Sequence, residues 1–389
     1  MFFIPAHITV NIIYGIVTPY LPVLMRNLGY SAVVVGILLA ITEGAGILGP
    51  FLLGRLADRS GKYKGYIILA HFLTGTAALP LAFFANPAIS AIFVIVLAVG
   101  FRSSMPLIDA ITTIHLGEDG DYGRIRVSGS IAFVCFLFFL QWVPVLRPNV
   151  PVNIAIWICI TSVLAITVII LLPAKYTIYQ GQPGDASAAV NKTARKKSIW
   201  TPVLILGIAS IAFNRLAMTP IYSFFPLYLV EYMHWDAVGL MLALGSIAEI
   251  PFIFFSNRLI KRFGAMPILA FTSAMVALRL ALYAMFPYKA GIVAAQLLHA
   301  FCFGLFHPAA VAFISDCVPP DKRSFGMTLY LSLGCGIPMV IGNFLGGFVV
   351  EYAGYRFLFG CFTIFAIFGT LLYVFFRLKE TSSRRLKQS

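Results

Sequence analysis

Residues Gly54–Lys64 read GRLADRSGKYK, a basic stretch punctuated by glycine. An apolar run, Val33–Leu53, precedes it, and a second apolar run, Tyr66–Phe84, follows it. A run of about 20 apolar residues crosses a bilayer as an α-helix. The stretch therefore predicts a short turn that joins two membrane helices on one side of a membrane.

A weaker copy of this stretch occurs later in the chain, where Arg258–Gly264 reads RLIKRFG. Arg55 and Arg258 stand 203 positions apart (258 − 55), and Gly61 and Gly264 have the same offset. The same offset relates these further pairs: Asn11 and Asn214, Gly36 and Gly239, Arg59 and Arg262, and Gly123 and Gly326. A single offset over this distance predicts two homologous halves, which in a membrane protein is typical of transporters.

The composition is that of an integral membrane protein. The 389 residues are 60% hydrophobic and 11% charged, whereas soluble domains are about 25% charged. The mean hydropathy is +0.93. The chain opens with MFFIP, without a basic segment or a small-residue cleavage site, so we expect the first apolar run to remain as a membrane helix.

The net charge of +14 follows the membrane topology and does not indicate a nucleic-acid partner. Most of the 28 lysines and arginines fall in alternate loops, in the segments 55–64, 124–126, 175–197, 258–262, 322–323 and 377–387. The opposite loops carry Arg26, Arg147, Lys289 and Arg356. Because loops rich in Lys and Arg stay in the cytoplasm, we expect both termini and the central loop to be cytoplasmic.

The apolar runs predict twelve transmembrane helices. Their expected ranges are Phe2–Met25, Val33–Arg55, Gly65–Phe84, Ile89–His115, Ile125–Leu146, Asn153–Leu172, Trp200–Glu231, Val238–Leu259, Pro267–Phe286, Ala290–Cys317, Phe325–Val350 and Arg356–Arg377. The hydrophilic stretch Lys175–Ser198 is rich in Gly, Ala, Ser and Lys, which is typical of a flexible linker. We therefore expect a six-helix bundle at 1–174, a cytoplasmic linker at 175–199, a second six-helix bundle at 200–378 and a cytoplasmic tail at 379–389.

Six ionisable side chains of opposite sign lie well inside the apolar runs. They are Glu43, Arg102, Asp109, Arg215, Glu249 and Arg279. A charge at the membrane centre costs on the order of 2.5–3.5 kcal/mol, so these side chains must face a wet cavity or one another. Arg102 and Asp109 are seven residues apart on one helix face and form one expected pair, and Glu249 and Arg279 form another. In the repeat frame Glu43 falls one turn from Glu249, so both carboxylates are predicted to face a central cavity.

Four polar residues extend this predicted cavity. Asn214 adjoins Arg215, and Gln296, His299 and His307 follow a stripe along one helix face. The two histidines are eight residues apart without a clear third ligand, so no metal site is predicted. No cofactor is predicted either.

Five positions of the opening stretch carry a resemblance to a known family. Gly54, Asp58, Arg59, Gly61 and Lys62 resemble the loop signature of the major facilitator superfamily. The resemblance implies an all-α integral membrane fold, with twelve transmembrane helices in two pseudo-symmetric six-helix bundles. In such a turn Gly54 allows close helix contact, and Asp58 can accept from a helix N-terminus or an arginine. The loop would then act as a conformational latch.

A finer resemblance covers most of the chain. Its segments are Pro106-Leu-Ile-Asp109-Ala, Tyr122-Gly-Arg124-Ile-Arg126, Ser128-Gly129-Ser130, Ala248-Glu249, Ser256-Asn257-Arg258-Leu259, Leu278-Arg279 and Gln296-Leu-Leu-His299. They resemble the proton-symporter branch, which includes phenylpropionate and nucleoside permeases and, more distantly, lactose permease. The resemblance implies that Glu249, Arg279 and His299 belong to the substrate and proton machinery. Cys302 and Gln296 stand where lactose permease has a carboxylate and a lysine, so its proton site is incomplete here.

The resemblance implies no particular substrate. We expect a proton-coupled importer of a small organic solute such as a sugar, a nucleoside or an aromatic acid. We expect a monomer in the bacterial inner membrane whose partners are the bilayer, protons and the solute. A proton-driven exporter is the alternative, because the sequence does not set the direction. A polytopic enzyme is disfavoured because HExxH, nucleophile-elbow and phosphate-loop motifs are absent from the sequence. A sensor that does not transport would usually add a soluble output domain, which the sequence does not predict.

Overall fold

The computed structural model describes residues 2–116, 122–143, 150–173, 176–178, 200–319 and 322–386. Within these ranges the chain is helical, apart from turns and one isolated antiparallel bridge between Lys62 and Ile178. The predicted linker at 175–199 lies outside the described residues except for 176–178. The all-α membrane class predicted from the sequence is confirmed.

The first half of the chain supplies six long helices, and the second half is more interrupted. The first six are α1 (Ile4–Asn27), α2 (Ala32–Ser60), α3 (Tyr63–Phe83), α4 (Pro87–Leu116), α5 (Tyr122–Trp142) and α6 (Pro151–Leu171). The others are α7 (Pro202–Thr219), α8 (Phe225–Leu227), α9 (Val238–Phe263), α10 (Ala265–Met285), α11 (Lys289–Leu297), α12 (His299–Cys302), α13 (Phe306–Cys317), α14 (Arg323–Leu329) and α15 (Ile337–Leu386). Three π-helical segments extend them: Pro220–Phe224, Tyr228–Tyr232 and Tyr330–Gly336.

Eleven helical spans in the described ranges are long and apolar enough to cross a membrane. The last span, Phe325–Phe375, has 51 residues. A continuous helix of that length would be about 76 Å long at 1.5 Å per residue, against a hydrocarbon core of about 30 Å. Gly354 within it has φ 80° and ψ 173°, outside the helical region. This break divides the span in two, so the arrangement is compatible with the twelve predicted helices.

Proline accompanies the interruptions of the seventh and tenth spans. Pro220 and Pro226 lie in or beside the π-helical turns of the seventh span. A proline lacks the N–H of a helical hydrogen bond, and a π turn accommodates the disturbed register. In the tenth span Pro308 lies in the first turn of α13, and the chain makes a turn at 303–305 just before it.

Contacts divide the described chain into two compact units. The first unit contains α1–α6 together with Tyr222–Ala243. The second unit contains α7 with Pro220 and Ile221, and the chain from Leu244 onwards. The candidate residues on α2 and α4 therefore belong to the first unit, and those on α7, α9, α10 and the tenth span belong to the second. The domain division predicted at 175–199 remains a prediction.

The two glycines of the repeated turn both have positive φ, although their ψ angles differ. α2 ends at Ser60 before Gly61, which has φ 66° and ψ 5°, and α9 ends at Phe263 before Gly264, which has φ 87° and ψ 156°. Positive φ favours glycine, because a Cβ atom would clash with the backbone. The repeat inferred from sequence thus has a structural counterpart at corresponding helix ends.

Glycines also bring three helices of the first unit into backbone contact. A Cβ at Gly49 of α2 would lie 2.7 Å from the carbonyl oxygen of Val99 in α4. A Cβ at Gly100 of α4 would lie 2.8 Å from Thr74 Oγ1 in α3. Small residues permit such close helix packing in membranes. The packing fixes α4, which carries candidate residues Arg102 and Asp109.

Candidate functional site

The second unit buries an arginine within a polar network. The Arg279 side chain, on α10, has no exposed surface. Its Nε donates to Tyr283 Oη at 3.2 Å, and its terminal nitrogens contact Gln296 Oε1 at 2.6 Å and His299 Nδ1 at 2.8 Å. Tyr283 Oη also donates to Gln296 Oε1 at 2.7 Å. These neutral partners accept hydrogen bonds from the guanidinium without cancelling its charge.

Helix geometry brings these side chains together. Arg279 and Tyr283 are one turn apart on α10, and Gln296 and His299 are one turn apart on the tenth span. A Cβ at Gly245 of α9 would lie 2.9 Å from Gln296 Nε2 and 3.3 Å from the His299 ring. The missing side chain therefore allows α9 to pass closely beside the tenth span.

His299 connects the buried arginine to Glu249 of α9. Its Nε2 lies 3.3 Å from Glu249 Oε2, and the two side chains are 15% and 16% exposed. That oxygen makes no hydrogen bond of good geometry to the described residues, so the contact is electrostatic. Arginine only donates hydrogen bonds, so we assign Nδ1 as the acceptor from Arg279 and Nε2 as the protonated nitrogen. This corrects the expected direct pairing of Glu249 with Arg279, because His299 lies between the two side chains and contacts both.

Phe303 links this network to Arg215. The His299 and Phe303 rings are stacked, with centroids 5.5 Å apart and an interplanar angle of 6°. The Arg215 guanidinium carbon lies 5.8 Å from the Phe303 centroid and 4.3 Å from the Phe306 centroid. Aromatic faces stabilise a cation most strongly where water is scarce, and Arg215 is only 8% exposed. The sequence stripe through His299 therefore includes an aromatic contact for a second buried cation.

The two other candidates of this unit form links between helices. Asn214 Nδ2 donates to Ser273 Oγ at 3.0 Å, which connects α7 to α10. His307 Nδ1 lies 2.8 Å from Tyr330 Oη, which connects α13 to a π-helical segment. Such interhelical hydrogen bonds stabilise membrane bundles. The role of both residues in a cavity remains a prediction.

In the first unit Arg102 of α4 forms an ion pair with Glu43 of α2. This corrects the expected pairing of Arg102 with Asp109. Seven residues along one helix face separate two side chains by about 10 Å, so a neighbouring helix can offer a nearer partner. Gly46 of α2 provides the room, because a Cβ there would lie 2.7 Å from Arg102 Cγ.

Asp109 pairs with Arg126 of α5 instead. Arg126 NH1 lies 3.3 Å from Asp109 Oδ2, and Nδ1 of His7 lies 3.9 Å from Oδ1. His7 Nε2 is 3.1 Å from Thr112 Oγ1. The His7 side chain is fully buried, whereas Asp109 is 25% and Arg126 is 52% exposed. The cluster therefore extends from a buried histidine to an exposed arginine.

The opening stretch forms the end of α2 and the start of α3. The N–H of Gly61 donates to the carbonyl oxygen of Ala57 at 2.9 Å and closes α2. Lys64 Nζ donates to the carbonyl oxygens of Ile170 and Leu172 at 2.7 and 2.9 Å. A cation is favourable at a helix C-terminus, where carbonyl groups lack helical partners. Lys64 therefore fixes the turn to the end of α6.

Two contacts expected in this turn differ from those observed. Asp58 accepts from the Tyr63 hydroxyl, rather than from an arginine or a helix N-terminus in the described part of the chain. A Cβ at Gly54 would meet no described atom within 4 Å, so the expected close helix contact is absent from this conformation. Arg59 and Lys62 are exposed. The latch role of these five residues remains a prediction.

The profile of the MFS_1 like family matches residues 12–361. The chain belongs to this family. It is therefore a multi-pass membrane transporter of the major facilitator superfamily, as the loop signature predicts.

Known proteins match almost the whole of this major facilitator chain. A maltose permease of Geobacillus stearothermophilus is 23% identical over 378 residues, which cover 95% of this chain and 92% of that protein. A probable 3-phenylpropionic acid transporter of Escherichia coli (strain K12) is 24% identical over 368 residues, which cover 91% of each. The crystal structure of the nucleoside transporter NupG is 18% identical with a TM-score of 0.78, and the match covers 97% of this chain and 98% of that one. This last likeness supports the fold.

The sequence analysis of this major facilitator transporter missed His7, Arg126 and Tyr283. Arg126 was counted among the loop cations, although the predicted helix Ile125–Leu146 and the observed α5 both include it. Tyr283 follows Arg279 by four residues, a spacing that predicts contact on a helix and could have identified it. For His7 the sequence offers no comparable signal, because its partners come from α4.

Proposed function

We propose that this transporter is a proton-coupled symporter that takes up a small organic solute by alternating access. The observation that carries the proposal is the contact of one histidine with both a carboxylate and a buried arginine. His299 lies 2.8 Å from Arg279 and 3.3 Å from Glu249. Groups of this kind inside a membrane serve proton relays and substrate sites.

Glu249 is the proton acceptor in this proposal. Nδ1 of His299 faces a guanidinium donor, so a second ring proton on Nδ1 would oppose the Arg279 N–H. The carboxylate has no such obstacle, because its oxygens only accept hydrogen bonds while it is ionised. His299 then acts as a positioning residue that carries the electrostatic effect of Arg279 to Glu249.

Protonation of Glu249 changes one link of the network and leaves the rest in place. The Nε2–H of His299 loses a charged neighbour, whereas Arg279 keeps its contacts with Gln296 and Tyr283. A proton bound more tightly in one conformation than in another shifts the equilibrium between them. Substrate binding supplies the second bias, so the complete transport cycle needs both ligands.

The substrate class we propose is a sugar, a nucleoside or an aromatic acid. The relatives named for their substrates transport maltose, 3-phenylpropionic acid or nucleosides. Arg126 is an accessible guanidinium that can bind a carboxylate or several hydroxyl groups. The predicted substrate and proton residues remain Glu43, Arg102, Asp109, Asn214, Arg215, Glu249, Arg279, Gln296, His299 and His307.

The proposal includes the topology and assembly expected from the sequence. The basic loops support cytoplasmic termini and an inner-membrane location in a bacterium. Bundles at 1–174 and 200–378, joined by a linker at 175–199, would move about the site while Gly54, Asp58, Arg59, Gly61 and Lys62 act as a latch. The protein would act as a monomer.

Transport by purified protein in liposomes tests this function. We would impose an alkaline interior and measure the accumulation of radiolabelled maltose, 3-phenylpropionate and uridine. The wild-type protein is expected to concentrate one of them. Glu249→Gln is expected to lose accumulation but to retain exchange of that solute between equal concentrations.

Asp316→Asn is the matched control, because Asp316 is an exposed carboxylate at the end of the tenth span, away from Glu249 of α9 in the chain. It should accumulate solute like the wild type. Accumulation by Glu249→Gln would show that Glu249 does not carry the proton. Solute movement driven only by the opposite pH gradient would identify the exporter.

A further inference from the structure

An open groove of about 450 Å³ lies on the second unit, and none of its lining residues belongs to the polar network described above. Its lining comes mainly from the second span of α15 and includes Arg356, Phe357, Gly360, Cys361 and Ile364, with Ala284 of α10 beside them. The groove has one cationic end and an otherwise apolar floor. The proposed transport mechanism does not use this groove.

The cationic end lies at the membrane boundary. Arg356 follows the break at Gly354, where one membrane span ends and the next begins. Ala284 is the penultimate residue of α10, so a third helix end lies at the same level. Arg356 Nε donates to the Ala284 carbonyl oxygen at 2.8 Å, which fixes the orientation of the guanidinium.

The terminal nitrogens of Arg356 have no hydrogen-bond or carboxylate partner among the described residues. The residue is exposed. An arginine presents a planar fork of donors that matches a phosphate group. Such an anchored guanidinium at a membrane boundary attracts an anionic head group.

The apolar part of the groove runs from this cation toward the interior of the span. Ile364 lies eight residues after Arg356, about 12 Å further along a helix. A Cβ at Gly360 would meet no described atom within 4 Å, so the chain's own packing does not require glycine there. The absent side chain instead leaves open space beside Cys361 in the groove.

We propose that this groove binds one anionic phospholipid. Its phosphate lies on the Arg356 guanidinium, and one acyl chain lies along Gly360, Cys361 and Ile364. Two features support this occupant. The groove offers a positive charge that complements a phosphate, and its apolar floor extends about 12 Å from that charge along the helix. A soluble anion would use only the first of these features, and an uncharged lipid only the second.

Native mass spectrometry of the full chain in detergent tests the site, with phosphatidylglycerol as the probe and phosphatidylcholine as its uncharged comparison. Arg356→Gln should weaken phosphatidylglycerol binding roughly tenfold, the scale of a lost charged hydrogen bond. Gly360→Leu should weaken it as well, because a Cβ at this position meets open space and the leucine side chain would occupy part of the groove. Lys289→Gln removes a cation at the start of α11, outside the groove lining, and should bind like the wild type.

Thermal stability identifies variants that fail to fold and separates a lipid from a free anion. All three variants should melt within a few degrees of the wild type, and glycerol phosphate should not stabilise any of them. If Lys289→Gln weakens phosphatidylglycerol binding as much as Arg356→Gln does, the effect is one of general charge and the proposal fails. If Gly360→Leu binds phosphatidylglycerol like the wild type, no acyl chain lies at Gly360 and the proposal fails as well. Stabilisation by glycerol phosphate, or phosphatidylcholine bound as tightly as phosphatidylglycerol, would also overturn the proposal.

Discussion

Arg26 and Glu231 lie 205 positions apart and form a two-pronged ion pair. Arg26 Nε is 2.6 Å from Glu231 Oε1, and its NH2 is 3.1 Å from Oε2. Its remaining terminal nitrogen donates to the carbonyl oxygen of Tyr30 at 2.7 Å. Gln141 Nε2 also donates to the Asp236 carbonyl oxygen, at 2.7 Å. Two polar contacts thus hold part of the segment 222–243 on the ends of α1 and α5.

We expect Glu231→Gln to lower the stability of the protein by roughly 1 kcal/mol, since each side chain is 28% exposed and water weakens the pair. The charge swap Arg26→Glu with Glu231→Arg should regain part of this loss. Thermal unfolding in detergent of Arg26→Glu, of Glu231→Arg and of the swap measures the coupling between the two residues. If the single effects simply add in the swap, the pair contributes nothing.

Substitutions of His299 separate positioning from proton transfer. His299→Phe retains a ring against Phe303 but leaves Arg279 and Glu249 without this partner, which should lower stability by about 1–3 kcal/mol. His299→Gln keeps a donor and an acceptor and should be milder. Uptake measured over a range of external pH should still depend on pH in His299→Gln.

The matched comparison is Glu249→Gln, in which the pH dependence of uptake should disappear. The opposite result would be that uptake no longer depends on pH in His299→Gln but still does in Glu249→Gln. That result would make His299 the proton carrier and Glu249 the positioning residue.

The partner of Arg102 can be identified by coupling energies. We expect Arg102→Gln and Glu43→Gln to be coupled by about 1–3 kcal/mol, as contacting residues are. Arg102→Gln and Asp109→Asn should have additive effects on unfolding. Strong coupling to Asp109 alone would restore the pairing that helix periodicity suggested.

Substitution by alanine should have different effects on stability at Gly100 and at Gly54. Gly100→Ala should destabilise the protein by about 1–3 kcal/mol, because α3 lies too close for a methyl group. Gly54→Ala should leave thermal stability unchanged or slightly higher, since that position faces open space and alanine favours a helix. If the latch prediction is right, Gly54→Ala slows transport even though it folds normally. Equal melting temperatures for both variants would contradict the packing at Gly100.

Both glycines of the repeated turn should lose stability on substitution by alanine. Gly61→Ala places a Cβ in the left-handed helical region and should cost about 1–2 kcal/mol. Gly264→Ala should cost about 1–3 kcal/mol, because φ 87° with ψ 156° is a conformation that few residues other than glycine adopt. Gly65→Ala on α3 is the control, because a Cβ there meets no described atom within 4 Å. A stability loss confined to one of the two turns would weaken the equivalence of the halves.

The main features of the fold could be predicted because membranes impose strong and simple constraints. Apolar runs must be long enough to span the bilayer, and the repeated glycines mark equivalent helix ends. The break at Gly354 illustrates the limit of this reasoning. Both flanking spans were predicted, but the single non-helical residue that separates them in the structure was not.

For the candidate site, the sequence indicates which buried charges need partners but not which residues those partners are. The cost of a buried charge drew attention to Arg279, Glu249 and Arg102 regardless of their partners. Their contacts were less predictable, because periodicity defines the face of a helix and not the neighbour that meets it. His7 was missed for the same reason.

The sequence by itself determined that this chain is a membrane protein of duplicated helical halves with charges buried inside them. Hydrophobic length, loop charge and repeat offset are properties of the chain alone. Only the tertiary structure decided that Arg102 meets Glu43, that Asp109 meets Arg126 and that His299 stands between Glu249 and Arg279. Glycines at the helix contacts set those distances, and a difference of a few ångströms determines which opposite charge is the partner.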